Sequence, residues 1–145
     1  DEENITLDKE LEMLMLYLQL EKIRLKNGFE YTIEMDDEVL PEEINVPTLI
    51  LQPFAENAIW HGLLNKEDNR TLSVRGRIEN DMLHLSVEDN GIGFDVQAIA
   101  AGNGMVNMKK RVQDCGGRME VSSTPGTGSC IQFDIPIPAT RELAL

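Results

Sequence analysis

The chain has 145 residues, with 26 acidic against 13 basic side chains and a formal net charge of −13. That length suits one compact domain with a single core, and a hydrophobic content of 41% is enough to build it. The charge repels nucleic-acid phosphates and anionic membrane surfaces, which argues against nucleic acid as a partner and against direct membrane contact by this segment.

The same field repels a free nucleotide, so any phosphate site here must rest on local donors or on a metal. Cys115 and Cys130 have neither metal-ligand nor redox spacing, which fits reduced packing thiols in a cytosolic protein. No apolar stretch is long enough to span a membrane and no signal peptide is visible. The chain begins "DEENITL" without an initiator Met, the start expected of a piece cut from a larger protein.

Leu7, Leu11, Leu14, Leu18 and Leu25 recur at helical spacing, with Thr6 as N-cap, Asp8 in the first turn and Asn27-Gly28 as the stop. This stripe can pack on another helix or dock on its own domain. The period then falls to two in "FEYTIEM", where Phe29, Tyr31, Ile33 and Met35 describe a half-buried strand. The acidic run "DDEVLPEEINVP" reads as a solvated connection. Pro47 suits the start of a helix that carries "PFAENAIWHGLL", and Pro53 is expected to kink or restart it.

From Thr71 to Asp89 two alternating strands flank a turn at "END", and a glycine-rich segment runs from Asn90 to Gly104. "MVNMKKRVQDCGG" is a helix ended by Gly116-Gly117, and a second hairpin pairs "RMEVSST" with "SCIQFDIPIP" across "PGTG". This order predicts an α+β fold: a two-layer α/β sandwich whose mixed, mostly antiparallel sheet is covered by helices on one face. Glu30, Thr32, His84 and Ser86 are then the alternates that face water.

Four clusters interrupt the pattern. In the first, Asn57 and His61 lie one helical turn apart at the edge of an apolar stripe, beside Glu56. An amide oxygen there is a hard ligand for Mg²⁺; the plainer reading is a polar helix edge with a satisfied His. In the second, "EDNGIGF", Asp89 ends a strand and can accept a hydrogen bond from an exocyclic amine, while Gly91 and Gly93 allow close backbone approach to a flat ligand. Asn-Gly is equally an ordinary turn signal.

The third is "GNGMVNMKKRV", where Gly102 and Gly104 feed a helix N-terminus that presents unpaired N–H groups suited to phosphate. Lys109, Lys110 and Arg111 lie beyond its first turn, where they reach phosphates or simply favour the helix dipole. The fourth is "TPGTGS", a hairpin turn in which Thr127 or Ser129 is placed to contact a nucleotide.

Taken in order, these clusters resemble the N box and the three glycine boxes of the GHKL ATPase superfamily. "LQPFAENAIWHG" is similar to the hallmark of LytS-like sensor histidine kinases, and the likeness covers nearly the whole chain. The resemblance implies a Bergerat-type ATP-binding fold. It implies that Asn57 coordinates a Mg²⁺ bridging the ATP phosphates, and that Asp89 reads the adenine amino group above Gly91 and Gly93. A short mobile lid over residues 95–104 would close through Gly102 and Gly104. Glu56 becomes the candidate to orient or deprotonate the nucleophile, and His61, Lys109, Thr127 and Ser129 join the ATP-binding set.

Two positions depart from the family pattern. Where histidine kinases often carry Lys or Arg three residues after the box Asn, this chain has Trp60. Where hydrolytic members carry a carboxylate one turn before the Asn, it has Pro53, which cannot act as a base. Efficient hydrolysis is therefore not expected, whereas a neutral imidazole acceptor needs mainly positioning and charge neutralisation.

His61 lies in the nucleotide box and His84 on a strand, so the acceptor His is expected on a dimerisation helix upstream of Asp1. The chain then divides into a connecting helix over residues 1–27 and an ATP-binding catalytic domain over 28–145. The implied partners are that dimerisation and phosphoacceptor helix and a response regulator. The implied setting is cytoplasmic, with the full-length protein anchored in the bacterial inner membrane. The alternatives are an anti-sigma-factor-type serine kinase, a degenerate ATP-binding scaffold, a hydrolytic ATPase and a plain structural domain.

Overall fold

A computed structural model of the chain describes residues 4–26, 28–64, 66–93 and 103–137, with His61 and residues 103–107 described by backbone alone. Helix α1 (Leu7–Arg24) starts where Thr6 accepts the Lys9 N–H at 3.3 Å, and the chain turns away at Gly28 with φ +57. Leu7, Leu14 and Leu18 are fully buried in the domain core, so this face docks on its own domain. Leu16, Leu20 and Ile23 face outward and are exposed.

The acidic run holds more structure than a solvated connection. A 3₁₀ turn (Pro41–Glu43) precedes strand β3 (Asn45–Pro47), which pairs antiparallel with β1 (Asn4–Thr6). Val39, Ile44 and Val46 are buried there. Pro47 therefore ends a strand instead of opening a helix. Helix α2 begins at Gln52 with Pro53 in its first turn, where a missing N–H costs nothing, and Pro53 starts the helix without kinking it.

Strands β2 (Glu30–Met35), β4 (Thr71–Glu79), β5 (Met82–Asp89), β6 (Arg118–Thr124) and β7 (Gly128–Pro136) form the main sheet in the order β2-β4-β5-β7-β6. β2 runs parallel to β4 and the other pairs are antiparallel. Asn80 and Asp81 both take positive φ (55 and 59), the signature of a two-residue hairpin turn. One face of the sheet carries Leu72, Val74, Leu83, Leu85, Val87, Ile131 and Phe133, all buried. Against it pack α1, α2 and α3 (Asn103–Asp114), through residues including Leu18, Phe54, Ile59 and Val112. This is the expected α+β two-layer arrangement. On the other face Glu30 and Thr32 are exposed, and His84 and Ser86 are half-buried.

The first turn of α2 has no cap from its own sequence neighbours. Its cap comes from α1: the buried Glu10 carboxylate accepts the Leu49 N–H at 3.0 Å and the Leu51 N–H at 2.9 Å. A negative charge at a helix N-terminus is favourable and also satisfies otherwise orphaned donors. Glu10→Ala should cost on the order of 3 kcal/mol in urea denaturation, because the buried Leu51 N–H and the part-buried Leu49 N–H both lose a charged acceptor. A loss under about 1 kcal/mol would show that the cap does not hold α2 in place.

Candidate functional site

The placement of Phe54 sets the orientation of α2 (Gln52–Asn57). Its ring meets Phe133 of β7 edge-on, with centroids 5.2 Å apart. With Phe54, Ala55, Ala58 and Ile59 turned into the core, helical periodicity leaves Glu56, Asn57 and Trp60 on the open side. Asn57 is exposed, and its amide makes no hydrogen bond among the described residues. Gln52 Nε2 donates to Glu56 Oε1 at 3.2 Å, which steadies that carboxylate along the same face.

The helix then widens into a π turn over Ala58–Leu63, closed by the Leu64 N–H on the Ile59 carbonyl at 2.8 Å. Such widened turns are frequent at functional sites. This one brings Gly62 against the end of β5: the Gly62 carbonyl accepts the Ile92 N–H at 3.3 Å. A Cβ on Gly91 would sit 2.4 Å from the Gly62 carbonyl carbon, and one on Gly62 would sit 2.9 Å from Asp89 Oδ1. Only paired glycines allow this approach. The backbone of His61 lies within the turn.

Asp89 closes β5 and its carboxylate is buried. Oδ1 accepts the Gly91 N–H at 2.8 Å, and Oδ2 accepts the Ser129 hydroxyl. Burial pushes the Asp89 pKa up from 3.8, while the donors from Ser129 and Gly91 pull it back. A cavity of about 200 Å³ opens at this end of the sheet, lined by Asp89, Thr124, Thr127 and Ser129 together with Glu88, Ser122 and Cys130 of the face turned away from the core.

The second and fourth sequence clusters meet here. The Gly126 N–H donates to the Ile92 carbonyl at 2.6 Å, and Gly93 takes φ +75 with its Cα against the Thr124 carbonyl. Thr127 is exposed and donates to the Thr124 carbonyl at 2.9 Å, so its hydroxyl serves the turn. Of the third cluster, Gly104 lies in the first turn of α3, while Gly102 and residues 94–101 fall outside the described residues. Lys109 and Lys110 are exposed on α3, and Arg111 donates to the Thr48 carbonyl ahead of α2.

Sequence reasoning missed one group beside this face. Arg24, at the end of α1, donates to the buried Glu21 carboxylate at 2.7 Å, and its guanidinium carbon stands 5.9 Å from the Trp60 ring centroid. Tyr17 lies in the same cluster; its pKa is pushed up to about 12, by burial first and then by the Glu21 carboxylate. The only sequence signal was helical spacing, which joins Tyr17, Glu21 and Arg24 but says nothing about Trp60.

A carboxylate shielded from water, glycines that admit a flat ring, and an unengaged amide on the neighbouring helix form a donor set that fits a purine nucleotide with its phosphates. Comparison with known proteins agrees. The chain belongs to the family of histidine kinase-, DNA gyrase B- and HSP90-like ATPases, whose model matches residues 43–139. Membership implies ATP binding.

Within that family it has the ATPase catalytic domain found in sensor histidine kinases. It is 30% identical over 155 residues to the sensor protein LytS of Staphylococcus epidermidis, covering 95% of this chain and 25% of that protein. It is 33% identical over 112 residues to the sensor histidine kinase BtsS of Escherichia coli, covering 77% and 20%. The chain thus spans a quarter or less of these two relatives.

Among solved structures, a blue-light activated histidine kinase of Erythrobacter litoralis superposes with a TM-score of 0.71 at 21% identity, over 97% of this chain and 44% of that one. The catalytic domain of histidine kinase ThkA gives 0.70 at 16% identity, over 92% and 95%. These two likenesses concern the fold. Among the described residues, no helix is long and apolar enough to cross a membrane.

The hydrogen bonds to Asp89 yield a prediction. Its folded pKa exceeds the unfolded value, so the ionised form opposes folding: the penalty is absent below the unfolded pKa and complete above the folded one. Carboxyl carbon NMR should place the Asp89 midpoint above 3.8. Ser129→Ala removes a donor to the charged form and should move that midpoint higher still. A midpoint that stays or falls in Ser129→Ala would contradict the assigned bond.

Proposed function

We propose that this chain is the ATP-binding catalytic domain of a two-component sensor histidine kinase, transferring the ATP γ-phosphoryl group to a histidine on a dimerisation helix outside residues 1–145. The observation that carries this reading is the convergence of the Asp89 carboxylate, the Gly62–Gly91 contact and the open face of α2 at one end of the sheet.

Asp89 accepts the adenine amino group, and Ser129 acts through it by fixing the carboxylate. Gly91 and Gly93 shape the floor of the adenine pocket. Asn57 would hold Mg²⁺ through its amide oxygen, and the ion would supply neutralisation of the phosphate charge. Glu56, steadied by Gln52, orients the acceptor imidazole or takes its proton. His61, Lys109 and Thr127 complete the phosphate and lid side, with Gly102 and Gly104 as the glycines of the lid.

In the transfer step the acceptor imidazole nitrogen forms a bond to phosphorus as the bond to the ADP oxygen breaks. His84 is a poor acceptor, because its Nδ1 pairs with Asp134 Oδ1 at 2.6 Å on the sheet face opposite Asp89. Helix α1, within residues 1–27, would lead from the dimerisation helix into the catalytic domain of residues 28–145, on whose core it packs. A response regulator takes the phosphoryl group onward, on the cytoplasmic side of a membrane-anchored protein.

Asn57 is exposed and unbonded, so Asn57→Ala should leave the melting temperature within about 2 °C. It should lower phosphotransfer to a supplied acceptor domain by about a hundredfold or more, equivalent to removing one charge-stabilising contact. Transfer at the wild-type rate would remove Asn57 from the mechanism.

A further inference from the structure

The departure at Trp60 leaves the phosphate side of α2 without a cation from its own sequence. We infer that Arg24 of α1 fills that place and binds the nucleotide phosphates, an assignment that rests on the ATP site proposed above. Trp60, three residues after Asn57 in the π turn that continues α2, is exposed on the same open side, so a group held on its ring is carried to the side of the helix that Asn57 faces. Arg24 is that group: its guanidinium carbon is 5.9 Å from the ring centroid.

The side chain is built for this role. Its Nη1 donates to Glu21 Oε1 at 2.7 Å, and that carboxylate is only 2% exposed, whereas the arginine side chain is 67% exposed. A buried carboxylate and an aromatic face hold the planar fork in place. A guanidinium carries five donors and one is engaged here, which leaves the outer edge for bidentate contact with phosphate.

Three other cations of the chain are held by backbone carbonyls. Lys66 donates to the carbonyls of Asn69 and Asn90, and Arg70 to those of Lys66, Lys26, Gly28 and Leu64. Arg111 is held on Thr48. On a chain of net charge −13, a fixed donor on the open side of this helix is what a polyphosphate would need. Trp60 then has a reason to be there, as the platform that positions a cation brought from another helix.

Calorimetric titration of the chain with MgATP and with AMP tests the assignment. Arg24→Gln should weaken ATP binding about tenfold or more, the loss expected for a charge-assisted hydrogen bond, while AMP binding stays within about twofold. In the Arg24→Gln background, Trp60→Lys should restore part of the preference for ATP. If leaving Glu21 buried and unpaired unfolds the single variant, Glu21→Gln with Arg24→Gln provides the same comparison without the orphaned charge. An unchanged ratio of ATP to AMP affinity, in a variant whose circular dichroism is native, would overturn the role of Arg24. Asp89→Asn serves as the control: it should abolish binding of both nucleotides, and if it binds both as wild type does, the site itself is wrong and Arg24 falls with it.

Discussion

Everything at the candidate site depends on keeping one carboxylate away from water. Asp89 ends a central strand, and burial there is unfavourable for its charged form. The structure offsets that cost with donors from two directions, the Gly91 N–H and the Ser129 hydroxyl. It shields the group with the π turn of α2, which can come this close only because position 62 has no side chain. The same constraint explains Gly128, whose φ of +123 lets β7 begin against the Asp89 carbonyl. A carboxylate so held keeps a fixed orientation and retains lone pairs for a ligand N–H, the property an adenine site needs.

From that point the architecture follows outward. α2 must lie flat on the sheet to bring Gly62 to β5, and the Phe54–Phe133 contact together with the Glu10 cap fixes it there. Once α2 is fixed, Asn57 and Trp60 have no choice but to face outward. α1 contributes both the cap at one end of α2 and the Arg24–Trp60 contact at the other, so it positions that helix as well as filling the core.

Much of this was legible in the sequence because it is local. The Thr6 cap, the alternation in "FEYTIEM", the "END" turn and both hairpins are decided within a few residues, and the structure has each of them. The second and fourth clusters were legible as partners, since they meet at one end of the sheet, and the first reaches them through the adjoining Gly62. What escaped depends on distant partners. The β1–β3 pair is only three residues long on each strand, too short to show a period, and it turns Pro47 from a helix start into a strand end. The Glu10 cap spans some forty positions, from Glu10 to Leu49 and Leu51. The π turn leaves no compositional trace beyond Gly62, and the Arg24–Trp60 stack joins two helices whose patterns are silent about each other.

The central claim is that the nucleotide binds at the Asp89 end of the sheet, against α2. The most direct test is to titrate the isotopically labelled chain with a Mg²⁺-bound non-hydrolysable ATP analogue and follow its amide resonances. The account predicts that the largest shifts cluster at Gly62, Asp89, Gly91, Gly93 and Ser129, with Arg75, His84 and Gln132 on the opposite sheet face unmoved. Shifts centred on that opposite face, where a second cavity of about 260 Å³ opens beside Arg75 and His84, would contradict it.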